Sequence, residues 1–132
     1  MPEPCEVVIE VPAWTFVKRR PDGSVDFVSP LPSPFNYGSI VGTVGPDGDP
    51  LDALVLGPRL EAGTRVRTTA YAEVDFVDAG VPDPKRVCGR PLSAIDRARV
   101  ISFFVVYARF KRALHRLRGA RGLTAYRRLR SL

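Results

Sequence analysis

The sequence predicts a mainly β (α+β) fold: a small barrel of short strands with one long C-terminal helix packed against it. Before residue 93, several segments combine alternating apolar residues with β-branched residues, and turn-forming residues separate them. Thirteen prolines in 132 residues, about twice the usual share, favour many turns and short strands. One long segment with helical spacing of apolar residues then follows.

The β part begins with a strand, a hairpin and a stiff connector. Predicted strands span residues 6–11, 16–20, 24–28, 39–44, 51–56 and 64–77. Pro21-Asp22-Gly23 is a turn signal, so the second and third strands should form a hairpin. Prolines at positions 30, 32 and 34 exclude regular structure in the connector that follows. Residues 61–63 predict the turn before the last strand, and residues 78–84 are expected to form a loop.

The helix has recognisable ends. Ser93 and Asp96 resemble a capping box in which Asp replaces the usual Glu, and Gly119 should end the helix. We therefore expect one unit over residues 1–118, a barrel plus helix. Residues 119–132 are expected to form a basic C-terminal tail or a short helix from residue 124.

The charge of the chain is unevenly distributed. Residues 109–132 carry nine Lys/Arg and no acidic residue, whereas the preceding residues carry eleven Lys/Arg and all fourteen Asp/Glu. Such a tail could contact nucleic acid, acidic partners or another subunit, but it is more simply the solvated face of a terminal helix. The apolar runs are too short to span a bilayer and no signal peptide is visible, so we expect a cytoplasmic protein. Cys5 and Cys88 lack metal or redox spacing and are expected to be free packing residues.

The turn Asp47-Gly48-Asp49-Pro50-Leu51-Asp52 is the most informative segment for function. It places three carboxylates within six residues, and such crowding is costly unless a cation neutralises it. Hard oxygen ligands of this kind suit Mg²⁺ or Mn²⁺. The alternative is a solvated acidic turn, because Asp, Gly and Pro are what turns generally select.

With its flanks, this turn resembles the D-G-D-P-x-D signature of the soluble family I inorganic pyrophosphatases. Upstream, residues 7–12 (VVIEVP) resemble the opening strand of that family, and residues 34–38 (PFNYG) are similar to its P-x-N-Y-G segment. Downstream, Asp78, Asp83 and Lys85 match its D-x4-D-x-K element. The similarity runs in order from about residue 5 to residue 110, so the chain looks like a divergent, shortened member.

The resemblance implies an OB-like β-barrel core flanked by helices and Mg²⁺-dependent hydrolysis of pyrophosphate to two phosphates, with Mn²⁺ as a substitute ion. It also implies a small phosphate-containing substrate and a homo-oligomer. Neither nucleic acid nor a membrane is expected as a partner.

The same resemblance assigns roles to individual residues. Asp49 matches the carboxylate that accepts a proton from the attacking water. The positions that match metal-facing acids are Asp47, Asp52, Asp78, Asp83 and Glu10. The positions that match substrate-binding residues are Lys18, Lys85, Tyr37 and Tyr107. On residue patterns alone, Glu10 would be an ordinary glutamate of an alternating strand, and Tyr107 lies close to the apolar stripe of the helix.

The chain departs from the family at several positions. Two cationic phosphate contacts are replaced, at about Ser29 and at Ala108, which follows the helix tyrosine. Further departures are Arg20, Ser33 and Ala79. Each lost charge-assisted contact should cost about one to two decades in rate or affinity. We therefore expect metal binding to be better retained than fast turnover, with Arg19, Arg20 or Arg109 as candidate substitutes.

Two other functions remain open at this point. A different phosphoanhydride, such as a nucleotide or polyphosphate, could be the substrate if loss of the two cations opens the pocket. A non-enzymatic binding module would instead use a small barrel and its basic tail on nucleic acid or an acidic partner.

Overall fold

The computed structural model describes residues 1–15, 17–19, 24–28, 33–119 and 121–132, with the backbone alone for residues 17–19 and 25–28. The strands of this part are β1 (Glu3–Val11), β2 (Val17–Arg19), β3 (Val25–Val28), β4 (Asn36–Ile40), β5 (Asp52–Val55), β6 (Arg65–Asp78), β7 (Val81–Pro82), β8 (Lys85–Cys88) and β9 (Ala125–Ser131). Its long helix is α1 (Ala94–Arg118). Strands β1–β8 precede the helix, as expected, but β9 follows it.

Five of these strands close into a barrel, in the order β1, β4, β5, β8, β6 and back to β1. All of the pairings are antiparallel except the parallel pair of β5 and β8. The length of β6 makes closure possible: its first half pairs with β1, and its second half pairs with β8 and β9. A register shift between Ala70 and Ala72 lies where β6 passes from one partner to the other. The predicted OB-like α+β fold is confirmed.

Apolar side chains on the two faces of the barrel form two clusters. Alternate residues of β5 show the division: Ala53 and Val55 join one cluster with Val7, and Leu54 joins the other with Phe104 of α1. A strand that is buried on both faces should read as a continuous apolar run rather than as an alternation. The sequence of β5 from residue 53 to its end fits this rule.

The helix begins and ends as predicted. The Ser93 side chain accepts a hydrogen bond from the Asp96 backbone N–H, and the Asp96 carboxylate accepts one from the Ser93 N–H, each at 3.1 Å. Gly119 takes a left-handed conformation (φ 70°) that closes the last turn. This capping box and glycine stop set the start and end of α1. They therefore also set the position of every side chain that the helix presents to the barrel.

The C-terminal segment differs from the expectation of a basic tail or short helix. The short helix is wrong, because residues Ala125–Ser131 form β9, which pairs antiparallel with β6. Leu129 is 8% exposed and packs in the cluster beneath α1. Arg128 and Arg130 form ion pairs with Asp75 and Glu73 of β6. Acidic residues on the neighbouring strand β6 offset the positive charge of this arginine-rich segment. The sequence of residues 119–132 alone gives no sign of these partners.

Other boundaries also differ from the predictions. The expected loop over residues 78–84 contains β7, which pairs back onto β6 after a two-residue turn at Ala79 and Gly80. β8 was not predicted, because a four-residue strand gives little periodicity. β2 and β3 form the predicted hairpin, but its turn at residues 21–23 and prolines 30 and 32 lie outside the described residues.

Two further expectations concern the cysteines and the membrane. Cys5 and Cys88 are both free thiols, with their Sγ atoms 3.8 Å apart. Cys88 is buried in the apolar cluster that contains Val7, and Cys5 packs against that cluster. No helix in the described residues is long and apolar enough to cross a bilayer.

Candidate active site

A cavity of about 480 Å³ opens between the acidic turn, the strands that flank it and one face of α1. Among the described residues, five carboxylates line it: Glu10, Asp47, Asp49, Asp52 and Asp83. The helix contributes the facing wall through Phe103, Phe104, Tyr107 and Lys111. The cavity is therefore acidic on its strand side, and aromatic with one cation on its helix side.

Local hydrogen bonds hold the turn between β4 and β5 in shape. The Asp49 backbone N–H donates to Asp47 Oδ1 at 3.0 Å, and its carbonyl accepts from the Gly45 N–H at 2.6 Å. Gly48 sits at φ 87°, a conformation that favours glycine. Thr43 Oγ1 accepts from the Leu51 N–H at 3.0 Å and ties the far side of the turn to β5. These contacts keep Asp47 and Asp49 at the rim of the cavity.

The buried segment around Asn36 fixes the position of Tyr37. Asn36 is completely buried, and its side-chain oxygen accepts from the backbone N–H groups of Ala13 and Leu60 at 3.1 and 2.9 Å. At Gly38, a Cβ atom would lie 2.0 Å from the Val8 carbonyl oxygen, so no larger residue fits there. Asn36 and Gly38 thus shape the backbone around Tyr37 and do not line the cavity.

Lys85 is the electrostatic centre of the strand wall. The parallel register of β5 and β8 sets Lys85 opposite Asp52, and its Nζ lies 2.8 Å from Asp52 Oδ2 and 2.9 Å from Asp83 Oδ2. Its side chain is 3% exposed. Burial opposes the charge, but Tyr37, Asp52 and Asp83 outweigh burial and raise the pKa of Lys85 well above its usual value. The lysine is therefore charged and shared between two carboxylates.

The two tyrosines lie on opposite walls. Burial raises the pKa of Tyr37 well above its usual value; Lys85 opposes the rise and Asp52 adds to it, so the hydroxyl stays protonated and can donate. The ring of Tyr107 stacks on Phe103 with centroids 5.7 Å apart and contacts Phe76 at the same centroid distance. Tyr107 thus belongs both to the aromatic packing of the helix and to the cavity wall.

Asp83 belongs to the same electrostatic environment as the acidic turn. Burial raises the pKa of Asp83; Lys85 opposes this rise, while Asp52 and Asp47 add to it. Two other predicted metal-facing carboxylates, those of Asp47 and Asp52, are thus close enough to act on Asp83. Glu10 joins them from β1, where its Oε1 accepts a hydrogen bond from Ser39 Oγ.

Asp78 is placed differently from the other predicted acids. It does not line the cavity, because its carboxylate lies 3.1 Å from Lys111 Nζ and 2.6 Å from His115 Nε2. Burial alone would raise the pKa of Asp78, but His115 and Lys111 outweigh burial and lower it. His115, for which the sequence suggested no role, is thus a partner of one of the predicted acids.

The replaced positions differ in what occupies them. Ala108 is 3% exposed and packs in the cluster beneath α1, so it offers no cation. Arg109 is exposed and does not line the cavity. Ser29 and the side chains of Lys18, Arg19 and Arg20 lie outside the described residues.

Lys111 is a candidate functional residue that the sequence motifs did not indicate. It lies one helical turn beyond Tyr107, on the same face of α1, and lines the cavity. That four-residue spacing was the available signal. Burial opposes its charge, but Tyr107 and Asp78 outweigh burial and raise the pKa of Lys111, which is therefore cationic.

The donor set suits a hard divalent cation, although the carboxylates do not form a closed cage. Among the described residues, no three Asp, Glu, His or Cys side chains are grouped tightly enough to hold an ion as they stand. Lys85 explains this, because its ammonium draws Asp52 and Asp83 onto itself. Among the described residues, five carboxylates and two lysines line the cavity, which leaves an excess of negative charge that divalent cations would neutralise.

Comparison with known proteins identifies the family. A family model described as inorganic pyrophosphatase matches residues 7–92. An inorganic pyrophosphatase of Aeropyrum pernix is 33% identical over 114 residues, which cover 80% of this chain and 61% of that protein. This chain thus spans about three fifths of the length of that curated relative.

Solved structures agree with this match. The inorganic pyrophosphatase from Thermus thermophilus superposes with a TM-score of 0.73 at 26% identity, covering 98% of this chain and 83% of that one. The Helicobacter pylori inorganic pyrophosphatase has the same fold, with a TM-score of 0.76 at 23% identity over 98% of this chain and 85% of that one. On these matches, and on a fold and acidic cavity of the kind the motifs predicted, the chain belongs to the inorganic pyrophosphatase family.

Proposed function

We propose that this protein hydrolyses inorganic pyrophosphate to two phosphates with the help of Mg²⁺, for which Mn²⁺ could substitute. The observation that carries the proposal is the convergence of five carboxylates on one cavity, opposite a helix wall with a tyrosine and a lysine. A cavity of about 480 Å³ is large enough for a pyrophosphate and its ions.

The residues that would hold the ions are Asp47, Asp52 and Asp83, with Glu10 beside them. When bound, such ions supply screening of the phosphate charge and a lower pKa for the attacking water. Ion entry requires Asp52 and Asp83 to loosen their hold on Lys85. The released ammonium of Lys85 would then face the phosphate groups, which is the role that the resemblance assigns to it.

The remaining residues of the chain would handle the proton and orient the anion. Asp49, at the cavity rim, is the proposed general base that takes a proton from the attacking water. Tyr37 and Tyr107 are the proposed hydroxyl donors to phosphate oxygens. Their separation onto facing walls would orient the anion across the cavity.

Two predicted roles have less support from the geometry. Asp78 remains a predicted metal ligand, but that role would require its contacts with Lys111 and His115 to open. Lys18 remains a predicted phosphate contact. A homo-oligomeric state and a cytoplasmic location likewise remain predictions.

The test is phosphate release from pyrophosphate with and without Mg²⁺, in the wild type and in Asp49→Asn. Loss of a general base should lower kcat by about 10²–10⁴-fold, and chelation of the metal should abolish release. Asp75→Asn is the matched control, because Asp75 pairs with Arg128 on the sheet and does not line the cavity. Full activity in Asp49→Asn would reject this residue as the base.

A second candidate substrate is another phosphoanhydride. The observation that favours it is the buried Ala108, because an alanine leaves the helix without a cation at that position. Polyphosphate and nucleoside triphosphates belong in the same assay. A clear preference for pyrophosphate would remove this candidate.

The binding-module alternative loses support. Arg128 and Arg130, two of the basic residues on which it depends, are paired with carboxylates of β6.

A further inference from the structure

Two ammonium groups face the cavity among the described residues, those of Lys85 and Lys111. They differ in how firmly they are held. Lys85 is 3% exposed and lies between two carboxylates. Lys111 is 28% exposed and contacts one carboxylate, that of Asp78, at 3.1 Å. Lys111 is therefore the more easily redirected of the two cations.

The partner of Lys111 does not depend on Lys111 alone. Asp78 also lies 2.6 Å from His115 Nε2 through its other oxygen, Oδ1. If the ammonium of Lys111 turned away, Asp78 would keep a hydrogen-bond partner. An unpaired, half-buried carboxylate is costly, and this cost normally keeps an ion pair closed. Because His115 stays with Asp78, the cost of releasing Lys111 is reduced.

The position of Lys111 on the helix also favours a role in substrate binding. Tyr107 and Lys111 are four residues apart on α1, so they are neighbours on one face of the helix, and the Lys111 Nζ lies 5.7 Å from the Tyr107 ring centroid. The carboxylates lie on the facing strand wall. An anion held by cations at the strand wall would thus present its outer oxygens to this end of the helix.

We propose that Lys111 is a substrate-binding residue whose ammonium moves from Asp78 to an oxygen of the bound phosphoanhydride, while His115 retains Asp78. The inference rests on the proposed function for its substrate class. In this scheme Asp78 and His115 are positioning residues that hold the Lys111 ammonium beside the cavity. Asp78 then stays with His115 and does not take the metal-ligand role that the resemblance predicts for it. Position 108 is an alanine and carries no charge, and the helix thereby supplies a cation one turn further on, at Lys111.

The test is equilibrium binding of imidodiphosphate, a non-hydrolysable analogue of pyrophosphate, in the presence of Mg²⁺ by isothermal titration calorimetry. Lys111→Gln removes the charge and should weaken binding about ten- to hundredfold. Lys111→Arg keeps a cation of similar length and should bind within a few-fold of the wild type. Arg112→Gln is the matched control, since it removes a positive charge from the same helix at an exposed position outside the cavity.

Three results would overturn the inference: wild-type affinity in Lys111→Gln, equal weakening in Lys111→Gln and Lys111→Arg, or no binding by the wild type. Thermal unfolding of each variant verifies that it is folded. Failure of the proposed function looks different: the wild type would bind the analogue in a Lys111-dependent manner yet release no phosphate from pyrophosphate. In an active enzyme, KM for Lys111→Gln should rise together with the dissociation constant of the analogue.

Discussion

At the scale of one residue, Lys85 offsets part of the negative charge that the acidic residues bring to the cavity. Its ammonium is shared by Asp52 and Asp83, so one buried cation offsets two carboxylates. The same two carboxylates are proposed to hold the metal. The lysine and the ions would therefore compete for the same oxygens, and this competition can be measured.

We predict that Lys85→Met lowers the free energy of unfolding by about 1–3 kcal/mol when Mg²⁺ is chelated, because two half-buried carboxylates lose their partner. The estimate is at the low end for a buried pair because both carboxylates retain some exposure to water, 26% and 22%. Saturating Mg²⁺ should reduce the deficit, since ions would neutralise the same oxygens. Urea denaturation with chelator and with Mg²⁺ measures both values.

Arg112→Gln, an exposed charge change outside the cavity, should show no deficit that depends on Mg²⁺. An equal loss of stability in Lys85→Met with and without the ion would contradict the proposed competition.

At the scale of an element, the start of α1 fixes the position of the helix wall. The hydrogen bond from Arg90 has the largest effect on the pKa of Asp96 and lowers it. Together with the Ser93 contacts, it outweighs burial, which would raise the pKa, and brings the value to about 2. The folded-state pKa lies below the reference value of 3.8. The stabilising contribution of Asp96 is thus present above about pH 4 and is lost as the pH falls through about 2.

We predict that Asp96→Asn lowers the free energy of unfolding by about 1–2 kcal/mol at pH 7, through loss of the cap and of the Arg90 ion pair. The difference from wild type should shrink between about pH 4 and pH 2, as the wild-type carboxylate becomes protonated. Chemical denaturation across this pH range is the measurement. Ser93→Ala removes the other half of the cap and should give a deficit that depends much less on pH. A constant Asp96→Asn deficit down to pH 2 would contradict this account.

At the scale of the whole molecule, ion binding should be coupled to folding, because the proposed ligands come from separate parts of the chain. Asp47 lies in the turn before β5, Asp52 begins β5, and Asp83 lies between β7 and β8. The unfolded chain does not hold these residues together. An ion that binds them should therefore stabilise the folded state by mass action.

We predict that Mg²⁺ at about one hundred times its dissociation constant stabilises the wild type by about 2.7 kcal/mol. The double variant Asp47→Asn, Asp52→Asn should lose most of this shift, whereas Asp75→Asn should keep it. Thermal unfolding at increasing Mg²⁺ concentration tests the prediction. A wild type without a shift, or a double variant with the full shift, would show that the ions bind elsewhere or not at all.

Features that depend on local chemistry could be predicted from the sequence. The capping box of Ser93 and Asp96 and the stop at Gly119 follow from the backbone needs of helix ends, which neighbouring residues satisfy. The acidic turn likewise follows from residues adjacent in sequence. The ordered motifs were sufficient to identify the family, and with it the OB-like barrel.

Contacts between distant residues were decided by the tertiary structure alone. Asp78 meets Lys111 and His115, which lie 33 and 37 positions away along the chain. The arginines of β9 meet Asp75 and Glu73 in the same way. A carboxylate has the same local signature whether a metal, a lysine or a histidine will face it, and only the packing of α1 and β9 against β6 determines which one does.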